Sequence, residues 1–334
     1  MSRAALLLEP VPPFRLDLTV WTLRRRPDNI IDRWDGETYR RVLPLPGGAA
    51  EVAVTQVGPP EAPRLRVAWD GSRRAAVKAA VTAALERLLG LRVDLTGWFR
   101  RAARQGRLGR LARRFLGMKP PRMLSVFEAA VNAMACQQVT LTLGIRLLNR
   151  LAENYGATGR AFPRPEELAR ATPAALRRLG FSTHKGRAMI ELARSVAVGR
   201  LDLEGLAALP DEEAVARLVQ LRGVGRWTAE YVLLRGLGRL HVFPGDDVGG
   251  RNNLRRYLNL TEPLDYDGTR RTLQPLKDYG GLIYFHLLLD RLAEAGYLTS
   301  SVVRAARLHK LRADEPPALR KRRQSLRGED TYDK

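Results

Sequence analysis

Few residues in this sequence combine a reactive side chain with a suggestive position. Two adjacent acids, Asp246 and Asp247, follow the break Val242-Phe243-Pro244-Gly245 and precede a stretch with helical spacing through Leu254 and Leu258. Taken alone, such a pair reads as an N-cap and a partner for the helix dipole. A carboxylate in that place can also stabilise a developing positive charge and orient or deprotonate water. Cys136 is the only cysteine, which excludes an internal disulfide and the four-cysteine cage of an iron-sulfur cluster. The histidines His184, His241, His286 and His309 lack ligand spacing, so no zinc site is expected.

The stretch DEEAVARLVQLRGVGRWTAEYVLL, residues 211–234, is the most informative in the chain. Asp211 follows Pro210 and is positioned to N-cap a helix with Val215, Leu218 and Val219 on its apolar face. Leu221-Arg222-Gly223-Val224-Gly225 interrupts that helix and a second begins at once. Glycines two apart between helices permit a tight turn and let another backbone approach without a Cβ in the way. The free N–H groups of such a turn, with the following helix N-terminus, form a phosphate cradle. A Gly-x-Gly alone is more often a plain helix connection; the longer string is what adds specificity. Trp227 and Tyr231 stand four apart on the second helix and share one face, either as core or as a stacking surface.

The pattern L-x-G-V-G-x-x-T-A between amphipathic helices resembles the helix-hairpin-helix of DNA repair proteins. With Pro244-Gly245-Asp246-Asp247 following, it resembles the glycosylase superfamily named for that hairpin, a Gly/Pro loop and an aspartate. Within it, G-x-G-R-W-T-A-x-Y at Gly223 to Tyr231 is similar to the bacterial 3-methyladenine DNA glycosylase II family. The similarity also takes in Phe127-Glu128, Cys136-Gln137-Gln138-Val139 and Leu179-Gly180-Phe181-Ser182, from about Thr96 to Arg312. It implies Asp247 as the catalytic carboxylate, with Asp246 in support. It implies a base pocket holding Trp227 and Tyr231, and DNA contacts from Leu221, Gly223, Val224, Gly225, Arg226 and Thr228. Gln137 and Gln138 would fill the hole left by a flipped base. The backbone of Leu221 and Gly223 would hold a monovalent cation, Na+ or K+. Two positions depart from the family: Val248 and Leu276 stand where aromatics are common, and Leu276 and Tyr279 are expected at the pocket wall.

Breaking an N-glycosidic bond builds oxocarbenium-like charge on the sugar, which a buried anion stabilises. An alkylated base already carries positive charge and leaves without a general acid. Relatives that also nick the strand use a hairpin lysine to form a Schiff base; the matching residue here is Trp227, and no lysine lies between Gly186 and Leu276. The implied activity is hydrolytic, monofunctional base excision from double-stranded DNA with alkylated purines as substrate. A bifunctional glycosylase/lyase for oxidised bases and a non-catalytic helix-hairpin-helix DNA-binding protein are the alternatives.

Composition agrees with a polyanionic partner. The chain has 334 residues, with 57 Lys+Arg against 35 Asp+Glu and a formal net charge of +22, and phosphates reward basic surfaces through counterion release. The N-terminal apolar run Ala4 to Leu8 meets Glu9 and three prolines at once, too short for a signal peptide or membrane span. A cytoplasmic monomer is expected.

The elements that must position these residues fall into two parts. Alternation over Phe14 to Val20 predicts a strand, followed by strands over Thr38 to Leu45, Glu51 to Val57 and Arg64 to Trp69 in an antiparallel meander. A helix between Ser72 and Gly90, striped by Val77, Val81, Leu85 and Leu88, should cover the sheet. Residues 1–92 thus read as an α+β unit, which the resemblance makes TBP-like. Residues 93–312 read as a helical, two-lobed glycosylase region with a cleft between the lobes, and 313–334 as a basic disordered tail. The fold class expected is mainly α with a small N-terminal α+β domain.

Overall fold

The computed structural model describes residues 3–298, so the expected tail and the end of the expected helical region lie outside the described residues. Residues Met1–Leu292 form one compact unit. Five strands, β1 (Arg3–Leu8), β2 (Arg33–Trp34), β3 (Thr38–Leu45), β4 (Gly48–Gln56) and β5 (Leu65–Asp70), form one antiparallel sheet in the order β1-β5-β4-β3-β2. The registers Tyr39↔Val54 and Val54↔Val67 align an inward row of buried side chains. Two helices accompany the sheet, α1 (Leu16–Arg24) and α2 (Ala75–Leu89), and α2 turns Val77, Val81, Leu85 and Leu88 inward.

The strand expected over Phe14 to Val20 is helix α1. Its residues from Leu18 to Arg24 are all buried, so the helix has no polar face and the 3.6-residue period is erased from the sequence. The alternation of Phe14, Leu16, Leu18 and Val20 mimicked a strand by chance. The missed strand is β1: Ala4 and Leu8 are buried while Leu7 is 52% exposed, and an apolar residue on the outward face hides the alternation.

The rest is helical: α3 (Thr96–Ala102), α4 (Gly106–Arg114), α5 (Val126–Cys136), α6 (Leu141–Tyr155), α7 (Pro165–Leu168), α8 (Pro173–Arg178), α9 (Thr183–Ala197), α10 (Asp211–Val219), α11 (Arg226–Val232), α12 (Val248–Leu258), α13 (Tyr266–Leu273) and α14 (Gly280–Glu294). Side-chain caps start several of them, with Ser125 Oγ accepting from Glu128 N, Thr140 from Leu143 N and Asp265 from Gly268 N. No helix among the described residues is long and apolar enough to cross a membrane.

Helix α5 is the pivot. It is buried from Val126 to Ala135, and its Glu128 carboxylate accepts from Arg41 Nη2 on β3 at 2.7 Å to each oxygen. Arg41 Nη1 donates to Asp32 Oδ1 at 2.7 Å, and Tyr39 Oη donates to the same oxygen at 2.7 Å. The sheet is thereby bonded to the helix that ends in Gln137.

His286 on α14 is fully buried between Trp98 and Phe115, with ring centroids at 5.3 and 6.4 Å. Its Nδ1–H donates to the Leu282 carbonyl at 2.8 Å, and burial pushes its pKa down to about 4. The folded chain therefore keeps this ring neutral where the unfolded chain protonates it. That stability is fully present above about pH 6.5 and is lost as pH falls toward about 4, a swing of order 3 kcal/mol. Urea denaturation across that window should show a shallower acid loss in His286→Gln than in wild type; parallel profiles would remove His286 from the account.

Candidate active site

The hairpin joins α10 to α11. Helix α10 starts at Asp211 with Pro210 in the cap position, so Asp211 is not the N-cap expected from sequence. Its carboxylate instead accepts from Arg239 and His241, fastening the hairpin to the chain that leads to Asp246. At the tip, Val224 N donates to Leu221 O at 3.1 Å. Gly223 sits at φ +77, and a Cβ there would lie 2.9 Å from Ala188 Cβ. Gly225 differs: its φ is −101, and a Cβ there would meet nothing within 4 Å. Gly223 is required by the fold, whereas the space beside Gly225 is open to an approaching molecule.

These two glycines should separate stability from binding. Gly223→Ala forces a β-carbon onto a positive-φ backbone against a neighbour and should destabilise by about 1–3 kcal/mol. Gly225→Ala should cost no more than about 1 kcal/mol yet weaken duplex affinity several-fold. Thermal melting and fluorescence anisotropy on the two variants read the contrast; equal melting losses would contradict it.

Gln137 closes α5, and its Nε2 donates to Gly223 O at 2.8 Å and Thr228 Oγ1 at 2.7 Å. Its own carbonyl accepts from Lys185 Nζ. Gln138 is exposed and sits at φ +52, a left-handed conformation that side chains rarely adopt and that marks sites where a residue must be aimed. So the structure places Gln137 against the hairpin and Gln138 in solvent beside it.

On α11, Trp227 and Tyr231 face each other with centroids 5.6 Å apart and planes tilted by 43°. Tyr231 is buried, and its Oη donates to Asn132 Oδ1 at 2.9 Å while accepting from Arg25 Nη1 at 3.0 Å. Burial raises the phenol's pKa above its ordinary value. Arg25 also donates to Asn132 Oδ1 at 2.9 Å, and Arg235 lies over the Tyr231 ring at 5.5 Å. Both guanidiniums are buried. Desolvation lowers the pKa of Arg235.

Asp247 caps α12, its Oδ1 accepting from Gly250 N at 2.6 Å. Its Oδ2 accepts from Trp227 Nε1 at 3.1 Å and from Tyr284 Oη at 2.8 Å. The capping and the chemical readings of this residue are therefore both satisfied, by different oxygens. Asp246 does not cap: its Oδ2 accepts from Arg226 Nε at 2.7 Å, and the Arg226 guanidinium lies 3.9 Å from the centre of the Tyr266 ring. Glu230 completes the frame, accepting from Tyr266 Oη at 2.7 Å and Gly245 N at 3.0 Å, with its pKa raised by burial. The hairpin helix thus holds the aspartate-bearing loop through Trp227, Arg226 and Glu230.

Two further residues were expected at the pocket wall. Leu276 is buried at 1% exposure, and Tyr279 has its ring 5.5 Å from Trp98, in the aromatic group of His286. Val248 is 61% exposed beside Asp247. Tyr284, Asn132 and Arg25 were missed in the sequence, because each reaches the site from an element distant in the chain, and Glu230 was missed because it occupies the variable position of T-A-x-Y on the hairpin helix itself.

Residues 131–278 match the HhH-GPD superfamily of base excision DNA repair proteins. A DNA-3-methyladenine glycosylase of Bacillus subtilis is 30% identical over 201 residues, 58% of this chain and 66% of that protein. DNA-3-methyladenine glycosylase 2 of Escherichia coli is 35% identical over 150 residues, 42% of this chain and 52% of that protein. The chain thus spans about half to two thirds of the length of the curated relatives it matches. The solved 3-methyladenine DNA-glycosylase of Archaeoglobus fulgidus superposes with a TM-score of 0.74 at 27% identity, covering 86% of this chain and 98% of that one. By hairpin, loop and aspartate together, residues 131–278 of this chain are similar to the HhH-GPD superfamily of base excision DNA repair proteins.

Proposed function

We propose that the protein is a monofunctional DNA N-glycosylase that hydrolyses the N-glycosidic bond of alkylated purines flipped out of duplex DNA. One observation carries this reading: Trp227 and Tyr231 form a tilted aromatic pair, and the Trp227 indole N–H is bonded to the Asp247 carboxylate. A base stacked on those rings would bring its sugar to the carboxylate that stabilises the oxocarbenium charge. The aromatic faces attract a cationic base. Water is the nucleophile, since the hairpin presents Trp227 rather than an amine.

Gly225, with its open Cβ side, and the N-terminus of α11 would receive a phosphate. The Leu221 and Gly223 carbonyls each accept one hydrogen bond, from Val224 N and Gln137 Nε2, and each keeps a second lone pair. They would hold a Na+ or K+ ion that neutralises a phosphate; exchanging K+ for tetramethylammonium at constant ionic strength should weaken duplex binding if they do.

A second reading of the substrate rests on Arg25 and Arg235. Two buried cations beside Tyr231 oppose a cationic base and favour a neutral purine with a carbonyl acceptor. Mass spectrometry of bases freed from methylated, deaminated and oxidised duplexes decides between the readings. Release of no base from any of them would sink the proposal, and borohydride trapping of a covalent adduct would sink the monofunctional part.

A further inference from the structure

We infer that Tyr284 is a positioning residue for the reaction, holding the Asp247 carboxylate in register with Trp227. The inference rests on Asp247 being the catalytic carboxylate, as proposed above. Tyr284 Oη donates to Asp247 Oδ2 at 2.8 Å, the oxygen that also accepts from Trp227 Nε1 at 3.1 Å. With Gly250 N on Oδ1 at 2.6 Å, three donors fix both oxygens. Burial, and then the charge of Asp247, push the Tyr284 phenol well above its ordinary pKa, so it remains a donor at any working pH.

The surrounding residues are shaped to admit this side chain. Helix α12 carries Gly249 and Gly250 in its first turn after Val248, where they are poor helix formers. A Cβ on Gly250 would lie 2.8 Å from Tyr284 Cε2, so the glycine makes room for the ring. Phe243 packs edge-on against it at 5.4 Å, with planes at 89°. Four residues before Tyr284, a Cβ on Gly280 would lie 2.8 Å from His241 O, and one on Gly281 would lie 2.6 Å from Val242 O. Those two glycines let the chain from Leu240 to Phe243 dock on the start of α14, where Gly281 N donates to Leu240 O at 2.8 Å. Gly250, Phe243, Gly280 and Gly281 therefore seat one ring beside one carboxylate. The aliphatic Val248 and Leu276 leave two aromatic positions unfilled, and Tyr284 supplies a phenol from a third element.

A donor to an ionised acceptor contributes more than an ordinary hydrogen bond. Tyr284→Phe keeps the ring and removes the donor. Its single-turnover rate of base release should fall roughly ten- to a hundredfold, with affinity for an abasic duplex unchanged within error and the melting temperature lowered by only a few degrees. Gly250→Ala, which displaces the ring, should lower the rate similarly, and the double variant should be no slower than the worse single one. An arm without turnover is the indole proton resonance of Trp227: in Tyr284→Phe that N–H becomes the sole side-chain donor to Oδ2 and should move downfield. A Tyr284→Phe rate within twofold of wild type, or rate and duplex affinity falling together, overturns the inference, as does an unmoved indole resonance. Wild-type protein that frees no base overturns the glycosylase reading instead, and the indole arm then tests the positioning by itself.

Discussion

Asp247→Asn should lower the rate of base release by at least about a thousandfold while changing duplex affinity by less than about fivefold. The structure explains why the substitution is so selective. An asparagine keeps one acceptor for Gly250 N, so the cap of α12 survives. The other position becomes an NH2 group facing the Trp227 indole N–H, donor against donor, while the Tyr284 hydroxyl can rotate to accept. The local cost is that of one lost buried bond, about 1–2 kcal/mol, and the lost negative charge removes the group proposed to face the sugar in the transition state. Single-turnover assays and anisotropy titrations on the same duplex measure both quantities. Residual activity within tenfold of wild type would show that the hairpin and pocket work without this carboxylate. The non-catalytic DNA-binding alternative would then gain ground.

The second large effect is on stability. Arg41→Leu leaves Asp32 and Glu128, each 4% exposed, without their cation, and an uncompensated buried charge costs about 3–5 kcal/mol. Glu128 already has its pKa raised, with desolvation outweighing the attraction of Arg41. Without Arg41 its carboxyl binds a proton more tightly in the folded chain than in the unfolded one, so acid favours folding of the variant. The deficit against wild type should be largest near pH 7 and shrink toward pH 5, as urea midpoints at the two pH values would show. A pH-independent deficit would mean that Arg41 acts by packing alone. The consequence reaches the site, because Glu128 lies on α5 and α5 delivers Gln137 to the hairpin. Arg41→Leu should therefore also weaken duplex binding under conditions where the protein is folded.

The sequence by itself determined the local pieces. The hairpin glycines, the following Trp227 and Tyr231 at helical spacing, and Asp247 ahead of α12 were all legible, because turns, caps and i,i+4 faces are encoded within a few residues. Strands β3, β4 and β5 were legible for the same reason: their outward residues are polar enough to show a period of two. Helix α1 was not, since burial on every side removes the polar half of its signal. Tyr279 was expected at the pocket wall by its place in the chain, whereas the packing of its ring on Trp98 is visible only in the fold.

Only the tertiary structure decided what surrounds Asp247. Tyr284 stands 37 residues from the carboxylate it bonds, and Arg25 stands 206 residues from Tyr231. Contacts at such separations depend on how α14, α11 and the end of α1 cross, which no local pattern records. The order of residues in the hairpin could suggest a phosphate grip and an acid. That the acid is held from both sides, by the indole that would stack the base and by a half-buried phenol, is a property of how the helices pack.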